Sequence, residues 1–113
     1  MLKIYHNPRC RKSREGLAIL EASGKDFEIV NYLDAPLSVE NLTEIIQLLK
    51  ISPIELIRTS ENIWKENYKG KELSNAEIIQ AMAEHPKLIE RPIVIHNQKA
   101  VIGRPPEKIN DIL

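Results

Sequence analysis

Cysteine is almost missing from this chain, since Cys10 is the only one among 113 residues. One cysteine excludes an intramolecular disulfide framework, and we therefore expect a reducing compartment, most simply the cytoplasm. Long apolar runs, a signal-like start and internal repeats are also lacking, which predicts no membrane attachment. The histidines (His6, His85 and His96) lack metal-ligand spacing, so we expect neither a metal nor another bound cofactor.

Net charge is lacking as well. Sixteen Lys and Arg residues balance sixteen Asp and Glu residues, so no overall field attracts nucleic acid or an acidic membrane surface. With 42% hydrophobic residues, 113 residues are enough to bury a core without metal or disulfide support. We expect residues 1–113 to form one domain, and the protein to be a monomer.

The apolar pattern predicts an α/β fold that begins with a β-α-β unit. Residues 2–5 are typical of a strand, a helix ends near Ser23-Gly24, and residues 27–33 form a second strand rich in β-branched and aromatic residues. A connection of this length predicts that the two strands are parallel.

The rest of the chain predicts a helical insertion, over about residues 36–86, and then a hairpin. Capping residues open its helices at Ser38, at Ser52 with an end near Arg58, and at Ser74. A further helix covers about residues 61–68. Strands over 92–96 and 99–103 flank Asn97-Gln98, and Pro105-Pro106-Glu107 begins a final helix. The sheet should therefore be mixed and four-stranded.

Cys10 has the surroundings of a nucleophile. The first strand ends before Asn7-Pro8 and a helix follows, so the thiol lies near a helix N-terminus, where N–H groups and the macrodipole favour a thiolate. Four of the six residues from Arg9 to Arg14 are basic, which is a poor environment for a buried apolar thiol.

Two neighbours of Cys10 are further candidates. Cys10 and Ser13 form a C-x-x-S arrangement, with a hydroxyl where dithiol oxidoreductases carry a second sulfur, so no internal disulfide can close. His6 could tune the thiolate through a hydrogen bond or a positive charge, or could simply end the strand.

Two arginines are predicted to face each other at one end of the hairpin. A two-residue loop pairs His96 with Lys99, and the same register places Arg91 opposite Arg104. Facing guanidinium groups repel, so they need a bound anion or an acidic partner such as Glu90 or Glu107. Each arginine precedes a proline, and an X-Pro bond entering a strand is a candidate cis peptide.

Three motifs together resemble the glutaredoxin-coupled arsenate reductase family. They are Tyr5-His6-Asn7-Pro8-x-Cys10-x-x-Ser13-Arg14, Arg91-Pro92-Ile93-Val94 and Gly103-Arg104-Pro105. The resemblance spans essentially the whole chain and implies a thioredoxin-like fold with a helical insertion between the β-α-β unit and the hairpin. Arg9, Arg11 and Lys12 are bulkier and more basic than the small residues beside the family's cysteine, so the effect on substrate or turnover stays open.

The resemblance also implies an activity and a set of site residues. Cys10 would be the catalytic cysteine with His6 beside it, and Arg58, Arg91, Arg104 and Ser13 would bind the arsenate oxyanion. Pro92 would be a cis proline. Glutathione would be the co-substrate that attacks the thiol-arsenate adduct, and glutaredoxin would resolve the resulting mixed disulfide.

Two other functions are compatible with the same fold. A glutathione or protein thiol oxidoreductase would use Cys10 and Pro92 but would not need three converging arginines. A redox-type regulator that binds a protein partner would use the helical insertion for docking, but such regulators usually carry a C-x-x-C switch, which this chain lacks.

Overall fold

The computed structural model describes residues 2–113, which form two compact units. The first unit contains the described residues up to Asp34 together with Arg91–Leu113, and the second contains Ala35–Glu90. The expectation of one domain over residues 1–113 stays a prediction. Within the described residues, no helix is long and apolar enough to cross a membrane.

The first unit is built on the predicted mixed four-stranded sheet. Its strands are β1 (Leu2–Tyr5), β2 (Glu28–Val30), β3 (Ile93–His96) and β4 (Lys99–Ile102), in the order β2-β1-β3-β4. Strand β1 runs parallel to β2 and antiparallel to β3, and β3 runs antiparallel to β4. This confirms both the parallel β-α-β unit and the C-terminal hairpin.

The hairpin register agrees with the two-residue loop. His96 is opposite Lys99 and Ile93 is opposite Ile102. Asn97 has a φ of 58°, the left-handed conformation that a tight hairpin turn uses and that asparagine tolerates.

The core of the first unit lies between the sheet and the helices that pack on it. Helix α1 (Arg11–Ala22) packs against the 3₁₀ helix Pro106–Ile112, and both cover the sheet. Alternate strand residues point to one face, and residues three apart share one side of a 3₁₀ helix. The buried core consists of Leu2, Ile4, Leu20, Val94, Ile109 and Ile112.

One predicted element of this unit is shorter in the structure. Strand β2 ends at Val30 rather than at Leu33, because the chain turns there: the Asp34 N–H donates to Asn31 O at 3.2 Å. Tyr32 is fully buried in that turn, so its aromatic ring serves packing rather than the strand. The predicted final helix is present as a 3₁₀ helix, with the Lys108 N–H donating to Pro105 O at 3.1 Å.

The second unit contains the predicted helices. They are α2 (Val39–Leu49), α3 (Asn62–Asn67) and α4 (Asn75–Glu84), with 3₁₀ turns at Pro53–Leu56 and Pro86–Leu88. Ser38 Oγ accepts the Asn41 N–H at 3.1 Å, and Ser74 Oγ accepts the Glu77 N–H at 3.2 Å. The capping serines therefore begin α2 and α4 where the sequence predicts.

The helix predicted to run from Ser52 to near Arg58 is too long. It is a single 3₁₀ turn that ends at Leu56, because Ile57 is extended and pairs with Ile89 in an antiparallel bridge. The Arg58 N–H donates to Leu88 O at 2.7 Å beside this bridge. Arg58 is thus positioned by a β-type contact within the second unit.

Candidate active site

The loop between β1 and α1 is stabilised by hydrogen bonds between its own residues just before the helix begins. The His6 N–H donates to Val30 O, and the Cys10 N–H donates to Asn7 O, both at 3.0 Å. The Asn7 side-chain oxygen accepts the Arg9 N–H at 3.0 Å. Cys10 is the N-cap of α1: its backbone is extended, while its carbonyl already accepts the Arg14 N–H at 3.0 Å.

The Cys10 sulfur meets three hydrogen-bond donors. Partial burial raises the pKa of the thiol, but the main-chain N–H of Ser13, the Arg91 guanidinium and the main-chain N–H of Lys12 act in the opposite direction, and the net pKa is lowered. Two of these donors are N–H groups that a helix N-terminus leaves free. Cys10 is only partly buried, so the stabilised thiolate is accessible to a reactant.

The basic residues next to Cys10 have a smaller role than the sequence indicates. Arg9, Arg11 and Arg14 are exposed, and Arg11 pairs with Glu15 at 3.4 Å. Arg14 donates to the carbonyl oxygen of Pro8 at 3.0 Å. The guanidinium that hydrogen-bonds the sulfur is instead that of Arg91, which is far away in sequence.

The Ser13 hydroxyl stabilises the loop between β1 and α1 through hydrogen bonds to two of its residues. Its side chain is fully buried, and Oγ lies 2.7 Å from His6 Nδ1 and accepts the Asn7 N–H at 2.9 Å. The hydroxyl is therefore used inside the protein, whereas the Ser13 main-chain N–H faces the sulfur. The predicted substrate contact of Ser13 stays a prediction, and the structure gives it a second, structural role.

His6 contacts Ser13 rather than acting as a cation beside the thiol. Burial lowers the pKa of His6, a main-chain hydrogen bond with Ser13 partly opposes this, and the Arg14 charge lowers it further. The net lowering keeps the imidazole neutral at neutral pH. A neutral ring with its proton on Nε2 accepts the Ser13 hydroxyl proton at Nδ1, which satisfies His6, Ser13 and the Asn7 N–H together.

Arg91 and Arg104 meet at the end of the hairpin, as the register predicts. Arg104 Nη1 donates to the carbonyl oxygen of Arg91 at 3.2 Å, and the Gly103 N–H donates to Pro92 O at 2.8 Å. The Arg91–Pro92 and Arg104–Pro105 peptide bonds are both cis. The first unit therefore brings together Cys10, Arg91 and Arg104.

Arg58 belongs to the second unit. Its Nε atom lies 3.4 Å from Glu61 Oε2, and 18% of its side chain is exposed. Its Nη1 atom is buried and makes no hydrogen bond within the described part of the chain. The role of Arg58 in substrate binding, which the resemblance implies, stays a prediction.

The described residues contain no group of three or more His, Cys, Asp or Glu side chains that could hold a metal. Cys10 is a sulfur nucleophile beside the Arg91 guanidinium, and Arg104 is hydrogen-bonded to the Arg91 main chain. A parallel β-α-β unit, an antiparallel hairpin that follows an X-Pro bond, and a thiolate at the N-terminus of the first helix define a thiol-dependent enzyme with a thioredoxin-like fold.

Comparison with known proteins identifies the family. The ArsC family model matches residues 5–112, and the chain belongs to this family. It is 47% identical to the arsenate reductase of Haemophilus influenzae over 112 residues, which covers 97% of each chain. It is also 47% identical to the uncharacterised Escherichia coli protein YfgD, over 99% of this chain and 96% of that one.

A solved structure gives the same result. The arsenate reductase from Vibrio cholerae superposes with a TM-score of 0.94 at 46% identity, covering 99% of this chain and 97% of that chain. These matches confirm the thioredoxin-like α/β fold and the family that the three motifs indicate.

Proposed function

We propose that this protein is an arsenate reductase in which Cys10 is the nucleophile. Membership of the ArsC family and the arsenate reductases among its relatives support this activity. The observation that carries the proposal is the position of Cys10 as N-cap of α1, where the Ser13 and Lys12 N–H groups and the Arg91 guanidinium lower the pKa of its thiol.

The first step is attack of the Cys10 thiolate on arsenic. A sulfur–arsenic bond forms and one protonated oxygen leaves as water or hydroxide, giving a thiol-arsenate adduct in which arsenic is still As(V). The lowered pKa of Cys10 supplies the thiolate at neutral pH. The partly exposed sulfur gives the oxyanion access from solvent.

Arg91 and Arg104 provide positive charge where the oxyanion arrives. Guanidinium forks match the oxygens of a tetrahedral anion and reduce the repulsion between that anion and an incoming thiolate. The hydrogen bond from Arg104 Nη1 to the main-chain carbonyl of Arg91 holds the Arg104 guanidinium next to the Arg91 backbone. The resemblance adds Arg58 to this set, and an Arg58→Ala variant tests that assignment independently.

The second step is reduction by an external thiol. Glutathione thiolate attacks the Cys10 sulfur of the adduct, so that a disulfide bond forms, the sulfur–arsenic bond breaks and its electron pair goes to arsenic. Arsenic leaves as arsenite, As(III), and glutaredoxin then reduces the mixed disulfide. The single cysteine supports external resolution and a reducing compartment such as the cytoplasm.

The test is arsenate-dependent NADPH oxidation in an assay coupled to glutathione, glutaredoxin and glutathione reductase. We expect the wild type to turn over and Cys10→Ser to be inactive, because a hydroxyl at this position is a far weaker nucleophile than a thiolate. Arg91→Ala should reduce kcat/KM by roughly 10²-fold or more, the typical loss when one group that stabilises developing charge is removed.

Arg11→Ala is the matched control, because it also removes an arginine next to Cys10 but one whose side chain is 86% exposed. It should keep most of the activity. Normal turnover by Arg91→Ala would refute the role of Arg91. Absence of turnover by the wild type, with Cys10 still alkylated rapidly at neutral pH, would favour a thiol oxidoreductase with another substrate.

A further inference from the structure

Two buried glycines, Gly16 and Gly103, lie against the Pro92 ring. A Cβ atom at Gly16 would lie 2.8 Å from Pro92 Cγ and 3.0 Å from Ile109 Cδ1. A Cβ atom at Gly103 would lie 2.9 Å from the same proline carbon and 3.0 Å from the same isoleucine carbon. Real Cβ atoms essentially never approach another heavy atom within 3.0 Å, so a side chain at either position must displace something.

The two neighbours differ in how they can respond. Ile109 Cδ1 is the end of a flexible side chain, which can change rotamer at small cost. Pro92 is fully buried and its ring closes on the main-chain nitrogen, so beyond a change of ring pucker the ring can move only together with the main chain. A side chain at Gly16 or Gly103 is therefore expected to push the backbone at Pro92.

The backbone at Pro92 is connected to the reacting groups on each side. Arg91 is the preceding residue and hydrogen-bonds the Cys10 sulfur. The Gly103 N–H donates to Pro92 O at 2.8 Å, and Arg104, the residue after Gly103, donates to Arg91 O at 3.2 Å. Gly16 lies on α1, whose N-cap is Cys10. Both glycines thus sit where the nucleophile's helix and the arginine segments approach closely.

We propose that Gly16 and Gly103 are positioning residues of the reaction: the space left by their missing side chains sets the place of the Pro92 ring, and through it the place of the Arg91 guanidinium at the Cys10 sulfur. The proposal deepens the proposed function, but it concerns a contact within the free protein. It can therefore be tested without arsenate, and its failure is distinguishable from failure of the reductase assignment.

The origin of the charged groups around Cys10 allows the contact between Arg91 and the Cys10 sulfur to be tested separately from the other charges. Arg9, Arg11, Lys12 and Arg14 come from the same loop and helix as the thiol, and His6 is neutral. Arg91 is the charged group that reaches the sulfur from the Pro92 segment. Displacement of Pro92 should therefore weaken the Arg91 contribution and leave the N–H groups of α1 in place.

The experiment measures the rate of Cys10 alkylation by iodoacetamide against pH, in the full-length protein, for the wild type, Gly16→Ala and Gly103→Ala. We expect the inflection of the profile to move to higher pH in both variants. Each unit of movement lowers the thiolate fraction on the acidic side about tenfold, whereas at high pH the thiol is fully ionised in every variant. A loss of stability alone would not move the inflection of the folded protein.

Gly24→Ala is the control variant. Gly24 belongs to the same unit and has a φ of +74°, so alanine strains the backbone there, but a Cβ atom would meet nothing within 4 Å. This variant should lose stability and keep the wild-type pH profile. An unchanged profile in folded Gly16→Ala and Gly103→Ala would overturn the proposal.

A double variant distinguishes the two displaced neighbours. Ile109→Val removes Cδ1, so Gly16→Ala with Ile109→Val retains the contact with Pro92 but loses the contact with Ile109 Cδ1. We expect its profile to stay shifted relative to Ile109→Val alone, whereas recovery would place the effect in the core and overturn the route through Pro92. If neither alanine variant folds while Gly24→Ala does, the glycines act on stability alone and the positioning role is wrong.

Discussion

Replacing Ser13 by alanine should destabilise the protein strongly, because it removes the hydroxyl that joins the His6 ring to the Asn7 main chain. All three residues are buried, and the two contacts measure 2.7 and 2.9 Å. Loss of the hydroxyl leaves the Asn7 N–H and His6 Nδ1 without that partner in a place that water does not reach. Each orphaned buried group costs about 1–3 kcal/mol, and the better helix propensity of alanine returns only about 0.5 kcal/mol, so with two such groups the net loss should be about 1.5–5.5 kcal/mol.

The measurement is urea unfolding of wild type and Ser13→Ala, with the slope m checked for constancy so that the change in midpoint reports stability. Ser23→Ala is the matched control. Ser23 Oγ also makes two hydrogen bonds, donating to Leu20 O at 2.6 Å and accepting the Lys25 N–H at 3.2 Å, but water can reach this site. We expect Ser23→Ala to cost less than about 1 kcal/mol, since water replaces the lost partners.

The outcome also separates two roles of Ser13. If the hydroxyl supports the loop, Ser13→Ala loses stability while the pKa of Cys10 stays low, because alanine keeps the main-chain N–H that faces the sulfur. A loss no greater than that of Ser23→Ala would refute the structural argument. If the KM for arsenate then rose while stability was unchanged, the hydroxyl would be a substrate ligand instead.

Further predictions concern the thiolate and the caps. Arg91→Ala should raise the pKa of Cys10, and the pH profile of its alkylation measures this directly. Because folding lowers that pKa, the thiolate stabilises the native state fully above the pKa of the unfolded thiol, about 8.5, and this contribution is lost as pH falls through the lower folded pKa. The difference in unfolding free energy between wild type and Cys10→Ser should therefore shrink as pH falls, and a constant difference would contradict the shift. Ser74→Ala should cost about 1 kcal/mol in urea unfolding, since it removes the cap bond to the Glu77 N–H; no loss would show that the cap contributes nothing.

Two element ends that were predicted from local pattern and propensity alone differ in the structure because of tertiary packing. The strand predicted through Leu33 stops at Val30, because burial of Tyr32 in a turn outweighs the strand preference of its ring. The helix predicted to approach Arg58 stops at Leu56, because Ile57 pairs with Ile89, a partner far away in sequence. Propensity describes neighbours along the chain and carries no information about such partners.

The order of the elements, the hairpin register and the position of Cys10 at the start of α1 were predictable from the sequence, because alternation, capping residues and turn residues are local signals. The sequence also placed Arg91 opposite Arg104, since register follows from loop length. The sequence could not predict which cation reaches the sulfur, that the Ser13 hydroxyl is used within the loop, or that Gly16 and Gly103 lie against Pro92. The reason is that these contacts join residues distant in sequence, and a hydrogen bond or a close approach depends on distances that only packing sets.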